Sequence, residues 1–278
     1  MCKVNLVCSV NEKYLPLINV FLKSIEINSA NTFDKIIIRC IGFDPDFSKL
    51  NLNIIKIIDN KNLSKKKNML SKEGEYVNDT LLEGLQKSKI GIRAGRWLYS
   101  EEIAYCSNSK VLTINDTLQK YNLPVLYSDV DTIVKGNLND LINNINENDI
   151  CVVEDEPYTE QHKGSKRLQG HTKLYQGGFI SFNNNTKVKK FVEKWSDMVI
   201  KNYTDWDADE KYFYDVLQGN KLNVFNLDKT FKDEDLNRES IVWSGAGTTK
   251  FCDDCELCMS WLLFFNFNFF NDVFVNTS

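Results

Sequence analysis

The sequence predicts one α/β domain built on a mixed, mostly parallel central sheet. Short β-branched runs alternate with segments of helical periodicity up to about residue 250. No internal repeat and no Pro/Gly/Ser-rich linker divides them. Composition agrees: the 278 residues are 42% hydrophobic and 26% charged, with 34 Lys and Arg against 38 Asp and Glu for a net charge of -4. That is enough apolar material for a sizeable core, and it excludes a disordered acidic chain or a small disulfide scaffold. The mildly acidic balance also argues against nucleic acid as a partner.

The first strand is expected at residues 3–9. No long apolar run or small-residue cleavage site occurs there, so no secretory signal is read and the expected location is cytoplasmic. Leu15, Leu17, Ile18, Phe21, Leu22 and Ile25 then recur at helical spacing. Residues 36–41 form a β-branched run closed by Gly42 and the turn signal Asp44-Pro45-Asp46. A further run covers 54–58, and the polar, Lys-rich stretch 59–72 reads as a loop. Residues 77–120 read as mostly helical. Strands are expected at 125–127, 150–153 and 178–182, with helices between and after them. Residues 157–173 hold almost no apolar side chains and read as a mobile loop; such loops often close over ligands, but plain surface loops are commoner.

The tail is different. Residues 261–270 concentrate aromatic rings in a stretch too short to span a bilayer, and no other window has the length of a transmembrane segment. We read residues 251–278 as a tail packed back on the 1–250 domain, because exposing so many rings is costly; peripheral membrane contact is the alternative. The eight cysteines, without a secretory signal, read as reduced thiols. Cys252, Cys255 and Cys258 have metal-like spacing, but no fourth cysteine lies nearby and both histidines are far upstream. No role is assigned to them.

The chemistry is expected where a buried strand, Val125-Leu126-Tyr127, runs into Asp129-x-Asp131. Alternate residues of an extended chain point the same way, so both carboxylates can converge at the strand's carboxyl end. Open α/β sheets place ligands there. Two hard oxygen donors suit Mn²⁺ or Mg²⁺, which keep positions open for phosphate oxygens. Four other Asp-x-Asp pairs, at 44/46, 205/207, 207/209 and 233/235, follow no apolar strand. The bland reading of Asp129 and Asp131 is a solvated turn.

Residues 125–136 (Val-Leu-Tyr-Ser-Asp-Val-Asp-Thr-Ile-Val-Lys-Gly) resemble the metal-binding signature of GT-A fold, nucleotide-sugar-dependent glycosyltransferases. The type is glycosyltransferase family 8-like, that of glycogenin and bacterial galactosyltransferases. Three further segments follow in the family's order. Residues 175–183 resemble its Asn-Ala-Gly strand, with Gln176 for Asn and Gly178 matching. Residues 207–211 resemble its Asp-Gln helix start, with Asp209 matching and Glu210 for Gln. Residues 244–250 resemble its His-x-x-Gly-x-x-Lys motif, with Gly247 and Lys250 matching. The resemblance covers roughly residues 3–250.

It implies a Rossmann-like nucleotide-diphospho-sugar transferase of one domain, moving a hexose from a UDP-sugar to a carbohydrate or glycoconjugate acceptor with retention. It further implies Asp129 and Asp131 on Mn²⁺ or Mg²⁺, and Ser9, Asn11 and Tyr14 at the nucleoside, although Tyr14 equally suits packing at the first helix. Lys250 and Gly247 would close on the diphosphate, and Lys250 has the alternative of an ordinary surface lysine. Gln176, Asp209 and Glu210 would lie by the sugar as the catalytic candidates; Asp209 would bind acceptor or sugar hydroxyls, or act as general base were the displacement inverting, although it also suits a helix cap. Glu154 and Glu156 are secondary acidic candidates.

The departures matter. Ser244 stands where the family has a third metal ligand, a histidine, and Lys110 stands where it has a donor-binding Arg. Lysine keeps the charge and loses the bidentate fork. Arg93 and Arg96 are further donor-phosphate candidates, or surface charges on a helix. Two rival readings are a nucleotidyltransferase, whose phosphate loop residues 9–12 do not provide, and a catalytically inactive domain that only binds sugar or nucleotide.

Overall fold

A computed structural model of the chain describes residues 3–67, 69–70, 98–155, 174–206, 208–233, 237 and 239–244. In chain order the elements begin with β1 (Val4–Asn11), a 3-10 turn at Glu12–Tyr14, α1 (Leu15–Asn28), β2 (Phe33–Ile41) and β3 (Ile54–Asp59). Next come the short strands β4 (Met69–Leu70) and β5 (Leu98–Tyr99), α2 (Glu101–Lys120), β6 (Val125–Ser128) and β7 (Thr132–Val134). The chain continues with α3 (Asn139–Glu147), β8 (Ile150–Asp155), β9 (Leu174–Phe182), α4 (Thr186–Lys201) and α5 (Ala208–Gln218). It closes with β10 (Val224–Leu227), a 3-10 turn at Lys229–Phe231, and β11 (Val242–Ser244).

Seven strands form the central sheet in the order β10-β8-β9-β6-β1-β2-β3. Every neighbour pair is parallel except β6 with β9 and β8 with β9, so β9 alone runs against the rest. The expected mixed, mostly parallel sheet is what the chain builds.

β1 shows how the layers arise. Val4, Leu6, Cys8 and Val10 pack in one core with Ile18, Phe21, Leu22 and Ile25 of α1 and Leu141, Ile142 and Ile145 of α3. Val7, pointing the other way, packs in a second core with Val111, Ile114 and Leu118 of α2 and with α4 and α5. Period-two alternation on a strand buried on both faces thus produces helices on both sides.

This arrangement fixes the site. From β1 the chain passes through α1 to β2 and β3, then returns through α2 to β6 on the other flank of β1. The helix that leaves β1, α1, lies on one face and the helix that leads into β6, α2, on the other, which opens a crevice at the carboxyl ends of these two strands.

Several expectations need adjustment. The loop expected at 59–72 contains β4, which pairs antiparallel with β5 inside the expected 77–120 helix; of that helix, α2 is what the described residues show. β7 and β11 form a separate antiparallel pair. These strands are two or three residues long, too short to leave a periodic signal. β8 and β9 extend beyond the expected 150–153 and 178–182. The 157–173 loop, Arg93, Arg96, Glu156, Gly247, Lys250, the Cys252–Cys258 group and the aromatic tail lie outside the described residues.

Candidate active site

A cleft of about 280 Å³ opens at the crevice between β1 and β6. Its walls come from the end of β1 and the turn after it (Ser9, Asn11, Tyr14), from the end of β6 (Tyr127, Asp129, Asp131), from α2 and from Trp206. The α2 contribution is Ile103, Cys106, Ser107 and Lys110. Their spacing of three, four and seven residues places them on one helical face.

Asp129 follows the last β6 residue. Its N–H donates to the Gly178 carbonyl of β9 at 2.8 Å, which continues the antiparallel pairing by one step. The Tyr127 hydroxyl donates to Asp129 Oδ1 at 2.6 Å. Burial, and then the Asp129 carboxylate, push the Tyr127 phenol well above its ordinary range, so this donor stays protonated. Asp131 is 5% exposed and lines the same cleft. Ser244, expected near the metal, is buried on β11 opposite Thr132 of β7, the residue next to Asp131.

The residues fit a divalent cation by two observations. Both carboxylates open on one cleft, and Gly178 lets the Asp129 carboxylate lie against β9 in space that a side chain would fill. A Cβ there would stand 2.5 Å from Asp129 Oδ2 and 3.1 Å from Lys232 Cε. Two carboxylates with space for waters and phosphate oxygens are a normal donor set for Mg²⁺ or Mn²⁺. Among the described residues no group of three His, Cys, Asp or Glu side chains gathers as a closed metal site.

Lys110 and Asp209 form a buried ion pair at 2.6 Å on the opposite wall, 8% and 4% exposed. Burial would lower the Lys110 ammonium, but the Asp209 and then the Asp129 carboxylates outweigh it and raise it above its ordinary value. The lysine expected at the donor is therefore held first by Asp209, with its ammonium 5.6 Å from the Tyr127 ring centre. Asp209 is no helix cap by its side chain. Its carboxylate meets Lys110, its N–H donates to Asn108 Oδ1 at 2.9 Å, and its carbonyl accepts from Trp195 Nε1 at 2.8 Å.

The structure brings Ser9, Asn11, Tyr14, Lys110, Asp129 and Asp131 to one cleft. The Ser9 hydroxyl also meets Thr113 Oγ1 at 3.0 Å. Asp209 and Glu210 line an adjoining pocket that Lys110 shares. Gln176 faces a separate hollow of about 310 Å³ with Thr230 and Lys232, and its buried Oε1 has no hydrogen-bond partner among the described residues. The backbone N–H of Glu154, on β8, donates to Asn226 Oδ1 at 2.8 Å. Sequence reasoning missed Trp206, Asn108 and Lys232. A buried Asn at mid-helix, where Asn is disfavoured, was the available signal for Asn108.

A family profile of nucleotide-diphospho-sugar transferases matches residues 105–252, just over half of the chain. Among solved structures, the glycosyltransferase GlyE of Streptococcus pneumoniae TIGR4 superposes with a TM-score of 0.53 at 15% identity, over 95% of this chain and 60% of GlyE. An active-site mutant of LgtC gives 0.54 at 14% identity, over 92% of this chain and 96% of LgtC. The galactosyltransferase LgtC with donor and acceptor sugar analogues gives 0.51 at 15% identity, over 97% and 95%. These similarities show a shared GT-A fold. The chain spans 60% of the length of GlyE. No curated protein sequence matches this one.

Proposed function

This chain belongs to the nucleotide-diphospho-sugar transferase family, and from that membership we propose that it moves a sugar from a UDP-sugar to a carbohydrate hydroxyl, with retention at the anomeric carbon. The observation that carries the reading is the Asp129/Asp131 pair, opening on the same cleft as the end of β1. Residues 1–250 would be the catalytic domain and 251–278 its tail.

Asp129 and Asp131 would hold Mn²⁺ or Mg²⁺, which when bound offsets the charge that develops on the departing diphosphate. Asn11 and Tyr14, at the β1 end of the cleft, would take the nucleoside, the ring by stacking. Tyr127 fixes the rotamer of Asp129 through its hydroxyl. Asp209, in the pocket Lys110 shares, would accept hydrogen bonds from sugar hydroxyls, with Glu210 beside it. The bond from the anomeric carbon to the diphosphate oxygen breaks as the bond to the acceptor oxygen forms. The acceptor proton leaves with the diphosphate, so no separate base is required. The relatives support a sugar donor and acceptor, since LgtC was solved with analogues of both.

The test is hydrolysis of a panel of nucleotide sugars in the presence of Mn²⁺. The reading expects turnover of a UDP-sugar, reduced at least about a hundredfold in Asp129→Ala. Binding of UDP without turnover of any donor would favour the inactive sugar- or nucleotide-binding domain. Among the described residues no helix is long and apolar enough to cross a membrane.

A further inference from the structure

Asn108 sits on α2 two residues before Lys110 and is 1% exposed. Every polar atom of its amide is engaged. Nδ2 donates to the Tyr203 carbonyl at 3.0 Å and to the Asp205 carbonyl at 2.6 Å, and Oδ1 accepts from Asp209 N–H at 2.9 Å. One side chain thus ties both ends of the connection from α4 to α5 to the helix that lines the cleft.

That connection carries two functional groups. Trp206 forms part of the cleft wall, and Asp209 opens α5 beside the pocket it shares with Lys110. The connection has a second anchor outside: the Tyr203 hydroxyl donates to Glu101 Oε1 at 2.7 Å, and Lys61 Nζ lies 3.6 Å from the centre of the Tyr203 ring. Tyr99 is a third anchor, its hydroxyl donating to the Thr204 carbonyl at 3.2 Å and its ring centre 5.8 Å from that of Trp206. Lys110 and Trp195 also hold Asp209, and Asn108 is the side chain that bonds the backbone on both sides of Trp206.

We propose that Asn108 is a positioning residue for the sugar-transfer reaction, an amide clamp that fixes Trp206 and Asp209 against the donor cleft. The proposal rests on the transferase reading for its kinetic part and on the fold alone for its structural part. An amide suits the task because it presents two donors and an acceptor in one rigid plane. A hydrophobic isostere would leave the Tyr203 carbonyl and the Asp209 N–H without this partner at a buried position and the Asp205 carbonyl with the Ala208 N–H at 3.3 Å, and the connection would shift to reach water. Displacement of about 1 Å at a reacting group costs up to roughly a hundredfold in rate.

Two readouts test it, both made well below the melting temperature of each variant. The first is the emission of Trp206, taken as the difference between proteins with and without Trp206→Phe. Asn108→Leu is expected to shift that emission to the red and to raise its quenching by acrylamide. An unmoved signal overturns the clamp, whether or not the wild type turns donor over. The second is a double-mutant cycle on donor turnover. Asn108→Leu should lower kcat about tenfold or more in the wild type, and less than about threefold in Asp209→Asn, where the positioned carboxylate is already gone. Equal losses in both backgrounds overturn it. A wild type without turnover counts against the transferase reading only, and the emission then decides the clamp. Should Asn108→Leu fail to fold, Asn108→Ala, whose smaller side chain admits water to the groups that lose the amide, serves in both measurements.

Discussion

At the scale of single residues, Gly178 has the most sharply defined constraint. Any Cβ there would meet Asp129 Oδ2 at 2.5 Å, well inside contact distance, so Gly178→Ala must move the carboxylate or the strand that carries it. We expect donor turnover to fall at least about tenfold, with a stability loss of about 1–3 kcal/mol in urea denaturation. Unchanged turnover would place the Asp129 carboxylate outside the chemistry. Lys110 gives a second residue-level prediction. Lys110→Met leaves Asp209 buried without its counter-charge and should cost about 3–5 kcal/mol, whereas Lys110→Met with Asp209→Leu should recover much of it. The sign of the pH dependence follows from the raised Lys110 ammonium. Its contribution is fully present below the unfolded value near about 10.4 and is lost as pH rises through the higher folded value. Wild-type stability should therefore fall at strongly alkaline pH more steeply than that of the Met/Leu double variant. Asp129 and Asp131 were legible in the sequence because an apolar strand ending in paired carboxylates is locally improbable. Asn108 and Trp206 were not, because their roles depend on contacts from residue 108 to residues 203, 205 and 209, which no local pattern encodes.

At the scale of elements, Arg39 joins β2, β3 and α2. Its guanidinium meets Asp59 Oδ2 at 2.8 Å and Asp116 Oδ2 at 2.6 Å, and its Nε donates to Thr113 Oγ1 at 3.0 Å. The Tyr105 hydroxyl completes the Asp59 site at 2.6 Å. Burial would raise the Asp59 carboxyl, but the Tyr105 hydrogen bond and Arg39 outweigh it and hold it below its ordinary value. A lowered carboxyl contributes stability above the unfolded value of about 3.9 and loses it as pH falls through the folded one. Asp59→Asn should thus flatten the acid limb of a stability profile, and an unchanged limb would show that Arg39 organises nothing there. Arg39→Lys, which loses the planar fork, should cost about 1.5–3 kcal/mol by denaturation. Long elements were readable because burial stamps its period on them: Val4, Leu6, Cys8 and Val10 on one face of β1, Val7 on the other. The β4–β5 and β7–β11 pairs were not readable. Their partners are distant in the chain, and two or three residues hold no period.

For the whole molecule, the order of the strands determines where the chemistry is. β1 lies between β2 and β6, α1 after β1 and α2 before β6 lie on opposite faces, and the crevice at the strands' carboxyl ends receives Asn11, Tyr14, Lys110, Asp129 and Asp131 from three stretches of chain. Strand order is a property of long-range pairing. The family's motifs could therefore indicate that these residues meet, while the pairing of Lys110 with Asp209 and the placement of Gln176 in a neighbouring hollow emerged only from the folded chain. The central claim is that Asp129 and Asp131 join a nucleoside diphosphate to the protein through a divalent cation. Titration of UDP into the protein by calorimetry, with and without Mn²⁺, tests it directly. The account predicts that Mn²⁺ tightens UDP binding at least about tenfold in the wild type and leaves it unchanged in Asp129→Asn and Asp131→Asn. Equal affinity with and without Mn²⁺ in the wild type, or the same tightening in both variants, would contradict it.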